Sequence, residues 1–401
     1  MPALPSRPSP YPIRRLGSRG ELKTGLAGSS GQGKASCMPL MNESVPAPVL
    51  APLQRVMLRD SLDGSGRDSH VEQVEIRFSP TIDPDKVITA WRDTVEHTAA
   101  LGIAFLIEDG MPSGWEDVLP CPLSLQDGPL PGCWESWLEE DRHRPLLLPH
   151  EVPWRAVFWP AGDRFVWTFH HALLDGRSIT RVVRVLLDRL EGISSDHLSL
   201  SRWRTPDEET KALADHLFRQ SFVPQVNSGS FGPGHPLTGV TAIRCLGEDY
   251  LKCLETRAVD LDTTVPTILI WAWGQAVIEM SGADSTILEQ VRAGAPQPGT
   301  AGFTMALLPV EIPRGGHATL RELRTRLLEL RRIESMAPED FPPSVFPDVD
   351  GPWSSVIMIE RGTPEHLIGK RAFVESISLH EAKGGSLMAT AFLQPDLRLE
   401  V

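Results

Sequence analysis

Several things are scarce in these 401 residues, and each scarcity excludes something. Cysteine occurs five times (Cys37, Cys121, Cys133, Cys245, Cys253), an odd number with no C-x-x-C or His-paired spacing. That argues against a disulfide framework and against a zinc site, and fits a reducing cytoplasm. Basic residues are outnumbered, 39 Lys and Arg against 52 Asp and Glu, for a formal net charge of -13. Wholesale binding to nucleic acid or to an anionic membrane, both of which reward basic protein, is therefore not expected. No apolar run reaches the ~20 residues that span a bilayer. The nearest approach, residues 265–280, is interrupted by Gln275 and reads as a buried core helix. A G-x-S-x-G elbow is absent, as is the glycine fingerprint of a dinucleotide fold. "GSSGQGKAS" (28–36) comes close to a phosphate loop, but Ala35 stands where the Mg²⁺-binding hydroxyl belongs and no apolar strand precedes Gly28.

What is present divides the chain. Residues 1–45 are rich in Pro, Ser, Gly and Arg without apolar periodicity, the signature of a disordered leader, upstream of a possible start at Met38 or Met41. Folded sequence begins near Pro52. "HVEQVEIRFS" (70–79) alternates like a strand, and Asp83-Pro84 opens a helix whose apolar stripe is Val87, Ile88, Trp91 and Val95. Strands follow at 103–108, 154–160 and 164–171, the last two joined by a turn at Ala161-Gly162-Asp163. Ile179, Val182, Val183, Leu186, Leu187 and Leu190 then mark an amphipathic helix, with Ser178 placed to cap it. A polar connection covers 196–238, with a helix inside it at 207–220. The remainder, 239–401, mixes strands near 240–245, 286–292, 354–360, 372–379 and 386–393 with helices at 265–280 and 318–333. This order predicts α+β lobes, 46–195 and 239–401.

Chemistry concentrates in "WTFHHALLDGRSITRVV" (167–183). Side chains alternate along a strand, so His170 and His171 should face opposite ways, one structural and one turned toward the aromatic face. A histidine near neutrality suits general-base work. Asp175 could reach back to orient it, and Gly176 gives the turn backbone freedom. The residues alone leave this open against two satisfied structural histidines. No second cluster with ligand spacing accompanies them, so no metal is expected.

His170-His171-Ala172-Leu173-Leu174-Asp175-Gly176 spells HHxxxDG, with Ser178 two positions later. The chain thereby resembles the condensation domains of nonribosomal peptide synthetases and their free-standing acyltransferase relatives, among them polyketide-associated acyltransferases. The resemblance extends from about residue 50 onward. "APLQRVMLRDSL" (51–62) is similar to the family's opening segment, "DPDKVITAWRDTVEH" (83–97) to its first long helix, 265–294 to a second-lobe helix and strand, and "AGFTMALLPVEI" (301–312) to its G-x-F-x-N-T-L-P segment.

The resemblance implies two chloramphenicol-acetyltransferase-like lobes forming a V around a central tunnel. In it an acyl thioester, on coenzyme A or on a carrier protein's phosphopantetheine, meets an amine or alcohol acceptor. It implies His171 as base, Asp175 as structural, and Gly176 as opening the passage and offering an oxyanion N–H, with His170 and Ser178 as supporting members of the motif. It implies no permanently bound cofactor and a cytoplasmic monomer whose partners are a carrier protein or acyl-coenzyme A. The family's arginine partner for the motif aspartate is missing from "EHTAALGIAF" (96–105), which leaves Arg155 and Arg292 as candidates. Arg177, Arg181 and Arg184 on the motif helix are candidates for donor phosphate contacts, as are Arg321, Arg324, Arg331 and Arg332 on the basic helix. The family's Asn is also absent near Ala306. The lost arginine and the stop at Val401 keep a second expectation alive: a catalytically inactive docking module for carrier proteins.

Overall fold

The computed structural model describes residues 13–15, 50–62, 70–118, 123–126, 128–146, 148, 151–201, 203–219, 241–294, 297–316, 318–336, 355–360, 364–369, 371–381, 387–394 and 397–401. The first half runs β1 (Ile13–Arg15), α1 (Pro52–Leu62), β2 (Val71–Phe78), α2 (Pro84–Glu96), β3 (Ile103–Glu108), β4 (Met111–Asp117), β5 (Ser124–Gln126), α3 (Trp134–His143), β6 (Trp154–Trp159), β7 (Arg164–His170) and α4 (Gly176–Leu190). A link follows through β8 (Ser199–Leu200) and α5 (Glu208–Arg219). The second half runs β9 (Ile243–Leu246), α6 (Gly247–Asp260), α7 (Val265–Ser281), β10 (Ser285–Arg292), β11 (Thr300–Ala301), β12 (Ala306–Pro313), α8 (Ala318–Ile333), β13 (Val356–Glu360), β14 (Val374–His380), β15 (Met388–Phe392) and β16 (Leu397–Glu400).

Two six-stranded sheets organise these elements, in the orders β1-β5-β6-β7-β2-β14 and β12-β10-β13-β15-β16-β9. The first is completed from far away in sequence, since β14 lies antiparallel to β2 with Ile377 opposite Ile76. The stretch 239–401 therefore does not stay within one sheet. Of the expected leader, only Ile13–Arg15 is described, and it runs as a short strand beside β5. Most of the remaining expectation for 1–45, and the connection at 220–238, lie outside the described residues.

Local chemistry explains the helices that hold the site. Asp83 accepts from Asp85 N–H and Pro84 sits at the first position of α2, which buries Val87, Trp91 and Val95. The stripe of α4 buries Ile179, Val182, Val183, Leu186 and Leu187 as its spacing predicts. Both helices press on the first sheet, where Trp91 meets Trp154, Phe165 and Trp167. A second core gathers Ile270, Leu288, Val310 and Leu330 between the other sheet and α5, α7 and α8. A smaller cluster of Met57, Leu58, Phe105, Ala172, Phe303 and Met305 joins the motif turn to α1 and to the segment between β11 and β12. The helix at 265–281 is less buried than its composition suggests. Val265, Ile270, Gly274, Val277 and Ile278 face inward, but Ala272 and Met280 are exposed.

Candidate active site

Strand β7 ends at His170, and the chain turns at once into a 3-10 turn at His171–Leu173. The turn breaks the strand alternation between the two histidines and gives each its own surroundings. His170 is fully buried. Its Nδ1 accepts from Ala172 N–H at 3.1 Å, so Nε2 carries the proton and donates to Ser61 Oγ at 2.9 Å. Burial, with His70 and His171 nearby, pushes its pKa down to about 3 and keeps it neutral. Gln54 supports the same turn from α1, donating to the Ala172 carbonyl at 2.8 Å.

His171 is wired the other way round. Its Nδ1 lies 3.1 Å from the Leu174 carbonyl and 3.2 Å from Glu72 Oε1. A carbonyl can only accept, so Nδ1 holds the proton and Nε2 presents a lone pair. Its side chain is 19% exposed, against none for its neighbour. Phe303 stands edge-on to the ring, with centroids 6.1 Å apart. Burial lowers the His171 pKa, opposed by Glu381, Asp175 and the Leu174 carbonyl. The result is a neutral imidazole whose Nε2 has no hydrogen-bond partner among the described residues.

Asp175 is buried and caps α4, its Oδ1 accepting from Ser178 N–H at 2.9 Å. The cap is thus three residues earlier than Ser178, whose hydroxyl instead accepts from Gly302 N–H at 3.0 Å. Asp175 Oδ2 accepts from both Thr304 N–H (3.1 Å) and Thr304 Oγ1 (2.9 Å), while Asp175 N–H donates to the Gly302 carbonyl at 3.1 Å. This corrects the expected arginine partner. Arg155 is engaged by Asp141, with Nε 3.0 Å from Oδ1, and Arg292 by Glu334 at 2.6 Å. The motif aspartate is held by a threonine and two backbone amides, which satisfy a buried carboxylate without a cation.

Gly176 is the first residue of α4, so its N–H has no partner within the helix. A side chain there would meet Glu360 Oε1 at 3.9 Å. Burial and the nearby Glu381 and Asp175 raise Glu360 to about 7, against the pull of Arg177. The arginines of α4 divide. Arg177 donates to the carbonyls of Ala293 and Gly294, and Arg181 to that of Thr300, so both fasten α4 to the 293–300 segment; Arg184 is exposed. These contacts line a small polar cleft with Asp175, Ser178, Ser201 and Thr304, and His171 is not among its walls. On α8, Arg324 pairs with Asp262 and Arg332 with Glu209.

Among the described residues no group of three or more His, Cys, Asp or Glu side chains could hold a metal ion, and no helix is long and apolar enough to cross a membrane. Sequence reasoning did not single out Glu72, Thr304, Ser61 or Phe303. Phe303 and Thr304 lie in "GFTMALLP", and the likeness of that segment to the family's own was the available signal.

No family model matches the chain. It is similar to a linear gramicidin synthase protein of Brevibacillus parabrevis, 26% identical over 327 residues, which is 71% of this chain and 6% of that protein. It is similar also to AM-toxin synthetase AMT1 of Alternaria alternata, 25% identical over 296 residues, 69% of this chain and 6% of that one. The chain thus spans a small fraction of the length of these curated relatives. Among solved structures it resembles the condensation domain of the monacolin K polyketide synthase MokA, with a TM-score of 0.67 and 12% identity over 88% of this chain and 90% of that one. It likewise resembles VibH, an NRPS condensation enzyme, with a TM-score of 0.63 and 15% identity over 86% and 88%. The starter condensation domain of rhizomide synthetase, solved with C8-CoA, gives 0.64 at 10% identity over 88% of each. The chain has the condensation-domain fold, in keeping with the resemblance carried by HHxxxDG.

Proposed function

We propose that this condensation-domain-like chain joins an acyl group, delivered as a thioester, to an amine or alcohol, with His171 as general base. The observation that carries the reading is the wiring of His171, whose Nδ1 proton is held by the Leu174 carbonyl so that Nε2 is left to accept one. The acceptor's N–H or O–H proton passes to Nε2 as its heteroatom bonds to the thioester carbon. The C–S bond then breaks, and the proton returns from Nε2 to the departing sulfur. The Gly176 N–H, at the positive end of α4, is taken to receive the developing oxyanion. Asp175 shapes the turn through Ser178 and Thr304 and takes no proton.

The donor is proposed to be phosphopantetheine on a carrier protein, or coenzyme A. The likeness to peptide synthetases supports the former and the likeness to a domain solved with C8-CoA supports the latter. Donor and acceptor are taken to reach His171 from opposite ends of a passage between the halves. Holding both in line contributes ~7–11 kcal/mol in well-oriented reactions. The exposed Arg184 stays a candidate for a donor phosphate, whereas Arg177 and Arg181 have structural occupations.

The test is thioester consumption by the purified protein, with intact product mass, over acyl-coenzyme A and acyl-carrier donors and mixed amine and alcohol acceptors. His171→Ala should lower acceptor-dependent product about 10²–10⁴-fold. Folded wild type and His171→Ala that are equally silent with every donor would sink the reading and favour a carrier-docking module.

A further inference from the structure

Glu72 has no assigned part in the reaction above, yet its carboxyl touches the imidazole that runs it. It is the second residue of β2, opposite Phe169 of β7, and its Oε1 lies 3.2 Å from His171 Nδ1. It is 6% exposed, and its Oε2 is buried without a hydrogen-bond partner among the described residues. Other buried acids on or over this sheet have arginines: Asp141 pairs with Arg144 and Arg155, and Glu75 with Arg164. Among the described residues, the ion-pair partner of Glu72 is His171. A carboxyl in the middle of a sheet, with one oxygen unsatisfied, is unfavourable to the fold. A glutamine or methionine would fill the same space.

We propose that Glu72 is a positioning residue for the base: it shares the Nδ1 proton of His171 with the Leu174 carbonyl, and its negative charge balances the imidazolium formed when Nε2 takes the acceptor's proton. This rests on the reading of His171 as base. No bond to Glu72 forms or breaks. The proton moves from acceptor to Nε2 to leaving sulfur, while the Nδ1 proton stays between nitrogen and its two acceptors. The carbonyl fixes the ring's orientation at any pH, and the carboxyl adds charge only when ionised.

That condition gives the idea its signature. Burial raises Glu72 to about 8, so the charge is switched on in mildly alkaline solution. The other groups facing this pair come from several elements. Glu381, past the end of β14, and Asp175, before α4, act on His171 in the same sense as Glu72 would. Glu360 on β13 is coupled to both, with Arg177 of α4 opposing. His170 stays neutral, with His70 beyond it. At Nδ1 itself the structure places Leu174 and Glu72.

The experiment compares wild type with Glu72→Gln, equal in size and unable to ionise, in kcat from pH 6 to 9. Acceptor ionisation and background thioester loss affect both proteins alike and cancel in the ratio. The ratio of wild type to variant should grow at least ~10-fold across that range, with its midpoint near 8. A ratio that does not change with pH would overturn the proposal. A second measurement needs neither turnover nor a variant that folds. The His171 Nδ1 nitrogen and proton resonances of the wild type should shift with a midpoint near pH 8. No such step would overturn the proposal. A step near 8 in a wild type that turns over no donor would leave Glu72 placed as stated and remove the acyltransferase reading instead.

Discussion

The two oxygens of Asp175 do separate work. One caps α4 through Ser178, and the other receives the amide and hydroxyl of Thr304, which comes from the far half of the chain. Removing the hydroxyl while keeping the shape leaves a buried carboxylate oxygen one donor short. Thr304→Val should therefore lose about 1–3 kcal/mol in urea denaturation, with Thr304→Ser close to wild type. Equal midpoints for the valine variant and wild type would show that the hydroxyl contributes nothing. The motif was legible because seven residues in a row spell it. Its aspartate's partner was not, because threonine in a loop has no distinguishing pattern and lies more than a hundred residues away. Arginine was the natural candidate chemically, yet Arg155 and Arg292 are already held by Asp141 and Glu334.

Helices with a continuous apolar stripe, α2 and α4, could be read from spacing alone. The helices α3 and α6 could not, since each buries at most two side chains: Leu138 and Asp141 in one, Ala258 in the other. Missing α3 also hid the setting of β2. Its polar residues look like a solvent face, but Gln73 bonds Asp141 and Glu75 bonds Trp134, both on α3, which covers that face. The strand is buried without a break from Val71 to Ile76, and Glu72 lies within that run. On the other side of the molecule, α7 approaches β12 closely at Gly274, where an added Cβ would lie 2.7 to 2.8 Å from the Ile312 side chain. Alanine should raise helix propensity by about 1 kcal/mol, but overpacking of this kind costs about 1–3 kcal/mol. Gly274→Ala is expected to lower stability in chemical denaturation, and Gly274→Ala/Ile312→Ala to be more stable than Ile312→Ala alone. A stabilised single variant would mean that α7 is not pinned to the sheet there.

At the scale of the whole molecule, buried titrating groups set a pH window for stability. Glu72 is raised to about 8, and Glu289 and Glu360 to about 7, all chiefly by burial, from an ordinary 4.5. Each keeps its proton in the folded chain where the unfolded chain has released it. Their contribution is complete below pH 4.5 and drains away as pH rises toward 7 and 8. His170, lowered from 6.5 to about 3, works in the opposite sense and withdraws stability as pH falls through that interval. Above 6.5 the glutamates act without that counterweight, so the melting temperature should fall between pH 6.5 and 8.5. Glu72→Gln/Glu289→Gln/Glu360→Gln should flatten that limb in differential scanning fluorimetry. A wild type that grows more stable over the same interval would contradict the assignment. None of this was legible in the composition, because burial rather than residue count moves these groups.

The strand that β14 lends to the first sheet has a consequence for the order of events in synthesis. Ile76 and its partner Ile377 are about 300 residues apart, a contact that costs chain entropy to close and that slows folding. On the ribosome, β2 can pair with β7 early, but its other edge stays bare until residue 380 has emerged. Through most of translation the strand carrying Glu72 is therefore an open edge, available to a wrong partner. A nascent chain arrested before β14 should hold its motif on an unfinished sheet.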